Sequence, residues 1–269
     1  MQTKVLIKLI QSSKFIILEN VRLIILFILI PIKIVFSQSQ LPVNDSIQNF
    51  LFAKSSLNNP ILITENGVYE YRSKWEYSSF IDSSFKKEIT EIDELNHANF
   101  FTKIVGNELY IISNGAGPVF KKSGNNFIRI DNSTLHKNQF GGARFVYNDK
   151  VHIYGGYGFW SFKNFITFFD ENIKQWDIFY NNSKYLPTGR WKPIYNLLDD
   201  KLYVLGGRSA SAGTINQDQS FSDIFYFDLI NKEFISLGSI NTKLKIKYSL
   251  FSQPKLDDNI FLIDTDNIT

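Results

Sequence analysis

The sequence predicts an all-β protein in which a four-stranded unit is repeated along residues 38–269. Three observations support this. A turn containing Asn or Asp, followed by a short apolar strand, recurs at intervals of about fifty residues. Two of these strands end in a pair of glycines, and paired aromatic residues follow at a constant interval. A helical repeat would instead space its apolar residues with a period of about 3.6.

The turn and the strand after it are the most regular part of the unit. The apolar runs are short, rich in Ile, Val, Tyr and Phe, and bounded by Gly, Asn or Asp, which is typical of strands. Four clear copies begin at Asn107, Asp149, Asp200 and Asp258, and a weaker copy begins at Asn59.

Glycine pairs and aromatic pairs complete the unit. The glycine pairs are Gly155-Gly156 and Gly206-Gly207. Glycine tolerates positive φ and lets neighbouring backbone approach closely, as a crowded strand end requires. A loop then leads to a third strand that ends in an aromatic residue, and a second aromatic residue opens the fourth strand. The aromatic pairs are Phe169 with Trp176, Phe227 with Phe234, and Phe120 with Phe127.

This combination resembles the kelch repeat, in which each unit forms one blade of a β-propeller, as in the central domain of galactose oxidase. Pro187-Thr188-Gly189-Arg190 stands where kelch units often carry proline and arginine, whereas Ser113-Asn114 and Asp264-Thr265 replace the glycine pair in two copies. The resemblance implies a kelch-type β-propeller of four-stranded antiparallel blades. The expected blades lie near 47–77, 100–130, 144–180 and 194–238, with a partial blade at 248–269.

The last unit stops at Thr269 after two strands, and few residues precede the first strand. Propellers close on themselves with 4 to 8 blades. We therefore expect an incomplete propeller of about four and a half blades, part of a longer parent protein, with an exposed sheet edge.

The first 37 residues have the layout of a secretory signal. An apolar stretch from Leu23 to Phe36 follows several basic residues, and Val35-Phe36-Ser37 offers a cleavage site before Gln38. Pro31 and Lys33 interrupt the stretch, which is shorter than the roughly 20 apolar residues that span a bilayer. The alternative is an uncleaved N-terminal anchor. Both interpretations predict an extracytoplasmic protein: periplasmic, cell-surface or secreted.

Composition excludes several classes of function. The net charge of +3 comes from the basic leader, so the rest of the chain lacks a basic field for nucleic acid, and membrane contact is expected only through an uncleaved leader. The chain has no cysteine, which excludes the tyrosine–cysteine copper centre of galactose oxidase. His97, His136 and His152 lack metal-ligand spacing, so we expect no metal or cofactor. His152 replaces Tyr110 and Tyr203 of other units and is expected to be a packing residue.

The loops after the glycine pairs are the candidate binding regions, because loops on a rigid scaffold often carry function. Residues 157–164 include Tyr157, Phe159 and Trp160, an aromatic cluster suited to stacking on a sugar or a peptide. Residues 208–222 form the longest such loop. In the alternative interpretation, Trp160 seals a gap between blades. The first hypothesis is thus an exported, non-catalytic propeller that binds a protein or glycan partner.

The second hypothesis is a carbohydrate-active enzyme, such as the exported kelch mutarotase that interconverts sialic acid anomers in the propeller funnel. Arginines would hold the sugar carboxylate, and a carboxylate side chain would transfer protons. The candidates are Arg144, Arg190 and Arg208, with Glu171 and Asp218 as the acidic groups. Because Arg144 and Arg190 precede strands taken as equivalent, the sequence favours a structural role for both, and no catalytic residue is assigned.

Overall fold

The computed structural model describes residues 49–79, 81, 83–133, 138–210 and 218–240. The leader expected at 1–37, the partial blade expected at 248–269 and His136 lie outside these residues. Within the described part, no helix is long and apolar enough to cross a membrane.

Four four-stranded antiparallel sheets account for most of the described chain, which confirms the all-β prediction. Each sheet follows chain order, so it is a meander. Sheet 1 contains β1 (Phe50–Lys54), β2 (Pro60–Thr64), β3 (Gly67–Tyr71) and β4 (Trp75–Ser79); sheet 2 contains β5 (Phe100–Val105), β6 (Glu108–Ser113), β7 (Val119–Ser123) and β8 (Asn126–Arg129). Sheet 3 contains β9 (Ala143–Tyr147), β10 (Lys150–Tyr154), β13 (Ile166–Asp170) and β14 (Gln175–Phe179); sheet 4 contains β15 (Ile194–Leu198), β16 (Lys201–Leu205), β19 (Asp223–Asp228) and β20 (Glu233–Ser239).

The recurring Asn and Asp residues have a conformational reason in sheets 3 and 4. Asn148 and Asp149 have φ of 45° and 53°, and Asp199 and Asp200 have φ of 47° and 58°. Two-residue hairpin turns of type I′ need positive φ at both central positions, and Asn and Asp tolerate this region better than most residues. These turns therefore set the register between the first and second strands of the two sheets.

In sheets 3 and 4 the connection from the second to the third strand forms a two-stranded ribbon. One ribbon pairs β11 (Tyr157–Gly158) with β12 (Ser161–Phe162), and the other pairs β17 (Arg208–Ala210) with β18 (Asp218–Ser220). The glycine pairs stand directly before these ribbons. Gly156 has φ of 95°, and a Cβ there would lie 2.4 Å from the backbone of Gln139, so no other residue fits without displacing that segment.

One helix, α1 (Ser83–Ile92), connects sheets 1 and 2. Its buried residues Phe85 and Ile89 are one turn apart and join the core that contains Phe120 and Phe127. The Phe85 ring lies 5.1 Å from the Phe120 ring and 5.0 Å from the Phe127 ring. The strand repeat gave no indication of this helix.

The hydrophobic core lies between the sheets. The first strands of successive sheets, β1, β5, β9 and β15, are neighbours in sequence order. One cluster joins sheets 1 and 2, a second joins sheets 2 and 3, and a third joins sheets 3 and 4. The aromatic pairs belong to these clusters: Phe169 stands opposite Trp176, and Phe227 stands opposite Phe234 with ring centroids 4.6 Å apart.

Candidate functional site: an aromatic hairpin and its surroundings

The ribbon β11–β12 carries two large exposed aromatic side chains at its tip. Tyr157 pairs with Phe162 and Gly158 with Ser161, which leaves Phe159 and Trp160 as a two-residue turn. Phe159 is 70% exposed and Trp160 is 85% exposed. Trp160 therefore does not seal a gap between the described sheets.

The hairpin tip adopts a conformation that its residues disfavour. Phe159 has φ of 45° and Trp160 has φ of 60°, the positive values of a type I′ turn. Asn-Gly is the preferred pair for this turn, and a bulky side chain at positive φ is strained. Strained backbone of this kind is often associated with a functional site.

The base of the hairpin is held firmly. The Tyr157 ring packs against the Phe162 ring at 4.8 Å, and the Tyr157 N–H donates to the Phe140 carbonyl oxygen at 2.9 Å. The Lys163 N–H donates to the Gly156 carbonyl oxygen at 2.8 Å. The structure thus divides the expected aromatic cluster: Tyr157 anchors the ribbon, while Phe159 and Trp160 project from it.

Arg190 is enclosed by its own sheet. Its guanidinium makes a two-pronged ion pair with the Asp223 carboxylate at 2.7 and 2.8 Å and donates to the Gly206 carbonyl oxygen at 2.8 Å. The rings of Phe221 and Phe225 lie 4.5 and 4.7 Å from its central carbon. Since its residue exposure is 0%, Arg190 supports sheet 4 and has no surface left for a ligand.

The supposed equivalence of Arg144 and Arg190 is wrong. Arg144 lies within β9 opposite Ile153, at the position that Tyr195 occupies in β15. The counterpart of Arg190 is Gln139, whose amide nitrogen donates to the Gly155 carbonyl oxygen at 3.1 Å. Both side chains stand sixteen residues before the glycine they contact. That constant interval was the signal by which sequence could have identified Gln139.

Arg208 and Asp218 belong to the second ribbon. Arg208 is half-buried and pairs with Trp191 through two backbone hydrogen bonds of 2.9 and 3.0 Å. Asp218 stands opposite Ala210 in the ribbon. Arg144, by contrast, lies over the Phe101 ring at 4.6 Å, between sheets 2 and 3. The three candidate arginines therefore lie in three different parts of the structure and do not line one site.

Glu171, the other candidate acid, borders a cavity of about 230 Å³ between sheets 2 and 3. Its carboxylate accepts from the Tyr110 hydroxyl at 2.8 Å and from Lys121 Nζ at 2.9 Å. Burial, together with the neighbouring Glu171, raises the pKa of Tyr110 to about 12. Burial opposes the charged form, but the bonds from Lys121 and Tyr110 outweigh it and hold the pKa of Glu171 below its usual value. Glu171 is therefore charged at neutral pH and poorly suited to donate a proton.

His152 lies among aromatic rings. It stacks on Phe145 with centroids 5.1 Å apart, and its Nδ1 donates to the Lys150 carbonyl oxygen at 2.9 Å. Burial lowers the pKa of His152 to about 4. Among the described residues, no group of three or more His, Asp or Glu side chains is arranged to hold a metal ion.

Comparisons with known proteins found similarity to a solved structure but no match in sequence. No family model matches the chain, and no curated protein matches its sequence. A solved structure titled "Structure of YjhT" is similar to it, with a TM-score of 0.50 and 14% identity over 75% of this chain and 67% of that one. YjhT is a β-propeller-like protein, and at this identity the likeness extends to the fold alone. The chain is thus an all-β protein whose four-stranded sheets are consistent with a β-propeller.

Proposed function

We propose that this chain is an exported kelch-type propeller that acts as a non-catalytic binding module and presents the aromatic hairpin 157–162 to a protein or glycan. The glycine pairs, the meander of each sheet and the neighbouring first strands support the finer fold assignment. The leader sequence supports export.

The strained, exposed tip of the hairpin is the observation that carries the binding proposal. Phe159 and Trp160 contribute little to the core, and their positive φ values cost the fold stability. Aromatic side chains stack on sugar rings and are enriched at the centres of protein interfaces. A rigid ribbon that holds two such side chains in solvent loses little conformational entropy on binding.

The carbohydrate-active alternative would require Arg144, Arg190 and Arg208 around one pocket. Arg190 is committed to Asp223, and Arg144 lies in another inter-sheet face. The described geometry therefore favours binding over sugar turnover.

The experiment compares the wild-type chain with the double variant Phe159→Ala/Trp160→Ala on a glycan array and, separately, against immobilised extracellular proteins. We expect the wild type to bind one class and the variant to lose roughly tenfold or more of that affinity, since hot-spot aromatic residues contribute about 2 kcal/mol or more.

Leu57→Ser provides a matched control. Leu57 is 77% exposed and lies in the β1–β2 turn, at the opposite end of its sheet from the connection that corresponds to the hairpin. This variant should bind like the wild type. Equal binding by the hairpin variant would refute the proposal, as would sugar turnover that survives loss of both aromatic side chains.

A further inference from the structure

The face between sheets 2 and 3 contains two cations on neighbouring first strands. Lys103 lies on β5 with Phe101 and Val105 on either side of it at two-residue spacing, so all three share one face of sheet 2. Phe101 and Val105 pack into the cluster that sheet 3 completes. Arg144 approaches from β9, with its guanidinium carbon 4.6 Å from the Phe101 ring centroid.

Neither cation has an acidic partner in the part of the chain that the structure describes. Two other arginines are neutralised: Arg190 pairs with Asp223, and Arg129 pairs with Asp131 at 2.9 Å. No ion pair of that kind joins a described carboxylate to Lys103 or Arg144, although both are half-buried. A charge taken out of water usually needs a partner.

The surroundings of the pair are positive. Burial, and then the charges of Arg144 and Lys54, lower the pKa of Lys103 to about 8. Burial also lowers the pKa of Arg144, partly opposed by Tyr195, and burial and then the charge of Arg144 lower the pKa of His97. An anion placed between the two cations would relieve this repulsion.

We propose that Lys103 and Arg144 together bind an anionic oxygen group, a carboxylate or a phosphate, between the first strands of sheets 2 and 3. The planar guanidinium can donate two parallel hydrogen bonds to such a group, and the ammonium adds a compact charge. The Phe101 ring beneath the guanidinium fixes its plane. This site is separate from the aromatic hairpin and does not depend on the function proposed for it.

The test titrates inorganic phosphate in one arm and glucuronate in the other, by calorimetry at pH 7, into the wild-type chain, Lys103→Met and Arg144→Met. We expect the wild type to bind at least one of the two anions and each variant to bind it roughly ten- to a hundredfold more weakly, as for lost hydrogen bonds to charged groups. Binding in only one arm identifies which of the two anions the site prefers.

Lys122→Met is the matched control, because Lys122 is a half-buried lysine on β7 of the same sheet. It should bind like the wild type, and so should Phe159→Ala/Trp160→Ala. The proposal is overturned if neither anion binds the wild type, or if Lys103→Met and Arg144→Met keep full affinity.

A second measurement follows the Lys103 ammonium itself, by NMR of the chain with isotopically methylated lysines. Its pKa should rise from about 8 when the anion that binds is added, and affinity should fall between pH 7 and pH 9.5. Among the facing groups, Arg144 stays charged in that window, and Tyr110, opposite Lys103 on β6 with a pKa of about 12, stays neutral. His97, whose pKa is lowered by burial and then by Arg144, also stays neutral. Lys54 acts on Lys103 and Tyr195 acts on Arg144, and both are unchanged in the Lys103→Met variant. An unchanged Lys103 pKa at saturating anion would contradict the proposal.

The thermal stability of Lys103→Met shows whether weaker anion binding reflects a lost contact or a poorly folded variant. Removing one of two repelling, unpaired cations should raise the melting temperature of Lys103→Met in the absence of anion. Added anion should then stabilise the wild type and leave Lys103→Met nearly unchanged.

Discussion

At the scale of single residues, the polar groups that resemble a catalytic set serve the fold. Arg190 joins the start of sheet 4 to Gly206 and Asp223, and Gln139 plays the corresponding part for sheet 3. His152 fills a space among aromatic rings that tyrosine fills in other repeats. Such positions look functional in sequence because they are polar and unusual, yet their partners are backbone carbonyls and neighbouring side chains.

His152 makes a pH-dependent contribution that can be measured. Its pKa is about 4 in the folded chain and near 6.5 when unfolded, so between these values the unfolded chain binds a proton that the folded chain rejects. Stability should therefore fall as the pH drops from about 6.5 towards 4. We expect His152→Phe to reduce the loss in unfolding free energy between pH 7 and pH 5 by about 1–2 kcal/mol.

Urea unfolding of the wild type and of His152→Phe at pH 5, 6 and 7 checks this prediction. The carboxylates titrate in both proteins, so the difference between the two pH profiles reports on His152 alone. A parallel pH dependence for the two proteins would show that His152 has the same pKa in the folded and unfolded chain, which would contradict the prediction. The hydrogen bond from Nδ1 to Lys150 is lost in the variant, which should lower its stability equally at all three pH values.

At the scale of elements, the hairpin β11–β12 departs from the residue preferences that two other two-residue turns follow. The β9–β10 and β15–β16 turns use Asn and Asp at positive φ, whereas the hairpin uses Phe159 and Trp160. Local preference and tertiary requirement agree at the first two turns and disagree at the third. Disagreement of this sort is expected where an element serves function at the expense of stability.

Replacing the tip with the preferred pair should stabilise the protein. We expect Phe159→Asn/Trp160→Gly to raise the unfolding free energy by about 1–2 kcal/mol, because two strained residues at positive φ are relieved and little buried surface is lost. The melting temperature, measured by calorimetry, should rise by roughly 2–4 °C per kcal/mol.

The double variant Phe159→Ala/Trp160→Ala separates the effect of the aromatic rings on binding from the effect of the strained backbone on stability. Alanine removes the rings but retains most of the strain, so it should weaken binding without stabilising the chain to the same extent. If the Asn-Gly variant were less stable than the alanine variant, the two rings would be supporting the fold.

At the scale of the whole molecule, stability is shared between neighbouring sheets. Each hydrophobic cluster joins two successive sheets, and Phe100 and Phe227, both fully buried, belong to clusters at opposite ends of the described chain. In repeat architectures, a change in one interface acts mainly on the units that form it.

Hydrogen exchange measured by mass spectrometry can test whether a substitution in one cluster affects mainly the two sheets that form it. Phe227→Leu should accelerate amide exchange by roughly fivefold in sheets 3 and 4, for a cost of about 1 kcal/mol, and much less in sheet 1. Phe100→Leu should show the reverse pattern. Equal acceleration everywhere, in both variants, would instead indicate a single cooperative unit.

The strands of the four-stranded unit and the turns between its first two strands could be predicted from the amino-acid sequence, because they depend on apolar runs and on the φ preferences of Gly, Asn and Asp within a few residues. Which side chains meet is visible only in the folded protein. There Arg190 is enclosed, Gln139 stands in the corresponding place, and Lys103 and Arg144 lie on the neighbouring first strands of sheets 2 and 3. Arg190 and Gln139 reach across their own sheets to glycines sixteen residues away, and the placement of Lys103 and Arg144 depends on how sheets 2 and 3 face each other. Apolar runs and turn residues specify neither.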